Sequence, residues 1–166
     1  MKNIQTSSTI NICDLTKNNI YVERYKYILE KIKFLDTLMH KNFALYAKFT
    51  LAIGTALSTC FVLFIEKKIE SATSVVILKS LFFTELLASL LFFAITIAII
   101  RAWFNYRDDE FFFLNKIECD LDRKPPTLEG MLKWSETYFL ITTIIIALTS
   151  LLGVANAELL LNFVAS

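Results

Sequence analysis

Few side chains in this sequence could do chemistry. His40 is the sole histidine, so a serine or cysteine nucleophile lacks its usual base and multi-histidine metal centres are excluded. Cys13, Cys60 and Cys119 lie far apart, without the spacing of a disulfide framework or a zinc site, and read as three reduced thiols. Gly54, Gly130 and Gly153 are the only glycines and none is near another, which removes phosphate-cradling loops and nucleophile elbows. Asp108, Asp109, Glu110, Glu118, Asp120 and Asp122 lack the central glycine of a calcium loop and read as a solvated helix face. No catalytic, cofactor-binding or metal-binding constellation emerges, and no enzyme activity is expected. One group remains: Glu85, within the apolar stretch FFTELLASLLFFAITIAIIRA.

The elements that must carry Glu85 are set by composition. Hydrophobic residues make up 55% of 166 residues, with 15 Phe, 3 Gly and 2 Pro, and mean hydropathy is +0.54. A bilayer suits such a chain better than water does. The first residues, MKNIQTSSTINICDLTKNN, have no apolar run of the kind a secretory signal needs, so insertion is expected from internal segments. Three stretches, 43–65, 78–100 and 137–157, meet the length of about 20 residues that crosses the hydrocarbon core. The expected fold is all-α and multi-pass, with three transmembrane helices and cytoplasmic helical extensions. Residues 1–16 form a flexible tail and 17–166 one membrane domain.

Positive charge orients the spans. Arg24, Lys26, Lys31, Lys33, Lys41 and Lys48 precede or open the first, and Arg101, Arg107, Lys116, Arg123, Lys124 and Lys133 follow the second. The short connection has only Lys67, Lys68 and Lys79, and the C-terminal tail has none. The N-terminus and the loop 101–136 are therefore expected in the cytoplasm and the C-terminus outside.

Two cytoplasmic helical segments follow. Over 17–42, Tyr21, Tyr25, Ile28, Ile32, Leu35 and Met39 recur at alternating spacings of four and three. That is a heptad seam with charged flanks. Self-association, packing on the chain's own cytoplasmic loop and contact with the inner leaflet all fit it. In the loop, Leu114, Ile117 and Leu121 continue a helical stripe until Pro125 and Pro126 end it. Thr127 can start the next helix, and Trp103, Tyr106, Trp134 and Tyr138 sit where interfacial aromatics are favoured. No nucleic-acid-binding module surrounds the basic and aromatic residues.

Within lipid, helices associate through small residues and occasional polar contacts. Thr50, Gly54 and Ser58 in the first span, and Gly153 and Ala157 in the third, offer such surfaces. Counted back from Arg101, Glu85 falls about 6 Å from the outer boundary. There it can reach headgroups, join Glu158 and Asn156 in an outer polar site of an oligomer, or bond a Thr or Ser of a neighbouring helix.

The charged helix YVERYKYILEKIKFLDTLMHKNFALYAKF running into the first span, and the second span leaving through RAWFNYRDDEFFF, together resemble the SLATT-type small membrane effectors of bacterial antiphage defence. The resemblance is one of layout, and this chain departs from it by its third span and by lacking a recognisable sensor domain. It implies a bacterial inner membrane, homo-oligomerisation, a cytoplasmic protein partner and a pore or toxic activity. On these grounds the expected function is a non-enzymatic oligomer that forms or gates a pore in defence or stress. The alternatives are a membrane scaffold or sensor subunit docking a soluble partner, and a membrane immunity protein.

Overall fold

Three helices make up the computed structural model, which describes the backbone of residues 5–116 and 135–165 and the side chains of residues 19–115 and 137–164. They are α1 (Gln5–Ile65), α2 (Ser71–Lys116) and α3 (Ser135–Ala165), with no strand among the described residues. Each contains a stretch long and apolar enough to cross a membrane. Only 6%, 22% and 17% of the most apolar windows of α1, α2 and α3 is buried inside the chain. Apolar surface left outside on that scale needs an apolar solvent. The protein is an all-α, three-span membrane protein.

The helices enclose the expected spans and run past them. α2 starts at Ser71, ahead of the expected 78, and carries Ser74, Ser80 and Thr84 in its first turns. Their hydroxyls donate to the carbonyls of Glu70, Val76 and Ser80, four residues back. Hydroxyls satisfied within their own helix can enter an apolar medium without an orphaned donor. α1 reaches back to Gln5, into the stretch expected as a tail. The expected helix end at Pro125 and Pro126, the start at Thr127, and Ile117, Leu121, Glu118, Asp120, Asp122, Cys119 and Trp134 lie outside the described residues.

The turn between α1 and α2 follows from how α1 ends. Lys67 adopts a left-handed backbone, φ 59°. The Lys68 amide donates to the Leu63 carbonyl at 2.9 Å and the Lys67 amide to that of Phe64 at 3.0 Å. This is a Schellman ending with lysine in the position glycine usually takes. It satisfies the last carbonyls of α1 and reverses the chain within residues 66–70.

Contacts divide the chain into two compact units where a single domain is expected: Met1–Thr37 with Arg101–Pro126, and Leu38–Ile100 with Thr127–Ser166. Each has its own core. In the first, Ile28, Ile32 and Phe113 are buried, with Tyr21, Tyr25, Trp103 and Tyr106 packed on them. In the second, Cys60, Leu78, Ala157 and Leu161 are buried beneath Leu57, Phe61, Phe64, Ile69, Val75 and Phe82.

Within this second unit, α3 closes onto α2 at Gly153. A Cβ there would stand 2.6 Å from the Phe82 ring, so only glycine permits the approach. Near the other end of α3, Phe43 of α1 stacks on Phe139 at 3.8 Å between centroids. Three residues beyond Gly153, α3 bends at Asn156, whose backbone leaves the helical region (φ −116°, ψ 22°), while its side-chain amide donates to the Leu152 carbonyl at 3.0 Å.

Candidate functional site

Glu85 lies inside the second unit, 4% exposed, between α2 and α1. Thr50 Oγ1 donates to Glu85 Oε1 at 2.8 Å. One turn further along α2, Ser89 Oγ donates to the Glu85 main-chain carbonyl at 2.8 Å and lies 2.9 Å from the Tyr46 hydroxyl. Tyr46 and Thr50 are four residues apart on α1, as Glu85 and Ser89 are on α2. That spacing puts each pair on one helix face, and the two faces meet. The other carboxyl oxygen, Oε2, is buried and has no hydrogen-bond partner among the described residues.

No described basic side chain offers Glu85 an ion pair. Lys48 is exposed, two residues and therefore more than half a turn from Thr50. Lys79 is engaged with Glu158 at 3.2 Å. α3 carries no titratable side chain between Phe139 and Asn156. The cluster is one carboxyl and three hydroxyls in an apolar helix pair.

Along the helices, Glu85 is placed by its partner on α1. α2 begins at Ser71, and Glu85 is level with Thr50, so either helix places it about 21 Å from the connecting turn. Of the three expected outer-site residues, Glu85 stands apart. Glu158 faces Lys79 and lines an open hollow with Ser71, Ala72, Val75 and Asn162, six residues or about 9 Å along α2 from Glu85. The Asn156 side chain is engaged by its own helix. Of the three readings of Glu85, the geometry is that of a bond from a neighbouring helix's threonine.

No protein family, curated protein or solved structure matches the chain. Its site must be judged on its own geometry.

Over Tyr21, Tyr25, Ile28 and Ile32 the heptad seam is covered within the first unit. Ile28 and Ile32 are buried against Phe113 of α2, Tyr25 stacks on the same ring at 6.4 Å and 11°, and Tyr21 meets it edge-on at 5.8 Å. Leu35 and Met39 are buried as well. Glu110 corrects the reading of the acidic run as a solvated face. It is buried, accepts from Arg107 Nη1 at 2.7 Å, and lies 3.4 Å from the Tyr25 hydroxyl. Asp108 and Asp109 are exposed. Arg107 lies 4.9 Å from the centre of the Trp103 ring, whose Nε1 donates to Asp36 at 3.0 Å.

The small-residue positions separate into two groups. Gly153, Ala157 and Thr50 face neighbouring helices of the same chain. Gly54 has no atom within 4 Å of where a Cβ would stand, and Ser58 is exposed with its hydroxyl on the Gly54 carbonyl. Sequence reasoning missed Tyr46 and Ser89 as partners of Glu85, and Arg107 and Phe113 in the first unit. The signal available was hydrogen-bonding side chains four apart inside apolar runs, on both helices.

Proposed function

We propose that the protein is a non-enzymatic membrane subunit, in a bacterial inner membrane, whose charged helical unit docks a soluble protein partner in the cytoplasm. The observation that carries this reading is the outer surface of the first unit. Beyond the covered seam it exposes Ile20, Tyr27, Phe34 and Phe112, the last two at 59% and 71%. Ile20, Tyr27 and Phe34 recur every seven residues on a face of α1 separate from the seam. Large apolar side chains left exposed among Arg24, Glu30, Lys31 and Asp109 suit a partner's surface. The lysine and arginine distribution favours a cytoplasmic position for this unit.

The test is photo-crosslinking in cells from a reactive amino acid placed at Phe34, Phe112 or Ile28. The reading expects discrete adducts with one partner from the first two positions and none from Ile28. Adducts from Ile28 alone, or none from any position, would contradict it.

A second reading, a homo-oligomer that forms or gates a pore, draws on Gly54 and Ser58, whose small surface is open to another helix. It expects reconstituted liposomes to leak small ions, with Glu85→Gln altering the rate. Tight liposomes that stay tight when the docked partner is added would end that reading.

A further inference from the structure

The cluster around Glu85 contains no basic side chain. Its four side chains offer only oxygen: Tyr46 and Thr50 from α1, Glu85 and Ser89 from α2. Glu85 is 4% exposed and its Oε2 is buried without a partner among the described residues. A buried carboxyl with no Lys, Arg or His in reach takes up either a proton or a cation, and the unpartnered Oε2 leaves a place for one. Hydroxyl and carboxylate oxygens are hard ligands, suited to hard cations. A single carboxylate matches a single positive charge, whereas divalent sites of this kind gather several. We propose that Glu85 Oε2, with the hydroxyls of Thr50 and Ser89 and that of Tyr46 beside them, binds one small monovalent cation of the sodium or lithium class between α1 and α2.

The site would sit about 21 Å from the connecting turn, with Glu85, Ser89 and Tyr46 all buried, so a cation there needs protein oxygens in place of its water shell. The three hydroxyls can turn their lone pairs toward the cation while the carboxylate neutralises it. Nothing in this proposal requires conduction or a docked partner, so it stands or falls apart from both functional readings.

The test uses the full-length protein in lipid nanodiscs and a membrane-permeant carbodiimide, which modifies buried carboxyl groups, with the Glu85 adduct quantified by peptide mass spectrometry. Sodium chloride or lithium chloride, exchanged against choline chloride at constant ionic strength, is expected to slow labelling of Glu85 in a saturable way. Choline should have no effect. Thr50→Val and Ser89→Ala each remove one oxygen and are expected to raise the half-protecting sodium concentration about tenfold, the usual size of losing one contact to a charged group. Helical circular dichroism and retained labelling at Glu85 verify that the variants fold. Labelling indifferent to sodium and lithium would overturn the proposal, as would unshifted protection in both variants.

Discussion

Replacing Gly153 with alanine should separate α3 from α2. A Cβ on Gly153 would lie 2.6 Å from both Cγ and Cδ1 of Phe82 and 2.7 Å from Cδ2. Ordinary carbon contacts begin near ~3.5 Å, so about 1 Å of movement is required. Rotating the ring cannot supply it, because Cγ lies on the rotation axis. Either Phe82 changes its χ1 rotamer, leaving the cluster it packs on, or α3 withdraws. Overpacking of this kind costs about 1–3 kcal/mol. Alanine recovers up to about 1 kcal/mol over glycine as a helix former. Gly54→Ala keeps that gain without the clash, since nothing stands within 4 Å. The two substitutions should therefore differ by about 1–3 kcal/mol, the overpacking cost itself, because the shared helix-propensity gain cancels in the comparison. Reversible unfolding in mixed micelles by SDS titration measures both. Phe82→Leu in the Gly153→Ala background should recover about 1 kcal/mol of the loss through coupling. Equal stabilities for the two alanine variants, or no coupling to Phe82, would refute the close approach of α3.

Other substitutions probe the remaining joints. Lys67→Gly should stabilise the protein by about 1 kcal/mol in the same titration, because glycine is free of the strain a lysine carries at φ 59°. Glu110→Ala should cost about 2–4 kcal/mol by leaving Arg107 without its carboxylate in a buried pair, whereas the double replacement Glu110→Leu with Arg107→Met should recover most of the loss. A Glu110→Ala variant as stable as the parent would show that this carboxylate is solvated after all.

The sequence made the spans legible because apolar runs of bilayer length have one reading in a chain this poor in glycine and proline. The seam of Tyr21, Tyr25, Ile28 and Ile32 was legible as a stripe, but its cover was not. Phe113 lies 85 residues from Ile28 in the chain, and pairing at that distance is decided by tertiary packing. Glu110 was misread for a related reason: beside Asp108 and Asp109 it looks like one of a solvated set, and only Arg107 and the Tyr25 hydroxyl distinguish it. The start of α2 at Ser71 was less legible. Ser74 hid it, because a hydroxyl bonded to a carbonyl four residues back looks like a loop residue in sequence. Gly153 and Ala157 were legible as a packing step, while among the described residues nothing stands within 4 Å of a Cβ at the equally small Gly54, and Ser58 is exposed.

The central claim is that Glu85 is held inside the α1 and α2 pair opposite Thr50, away from Glu158, which faces Lys79. Its most direct test is a short thiol-to-thiol cross-linker applied in native membranes to full-length protein whose Cys13, Cys60 and Cys119 are replaced by alanine. Thr50→Cys paired with Glu85→Cys should give a link within one chain. Glu85→Cys paired with Glu158→Cys should give none. A link between Glu85→Cys and Glu158→Cys, or dimers formed by Glu85→Cys alone, would place the carboxylate in an outer ring between subunits and contradict the account.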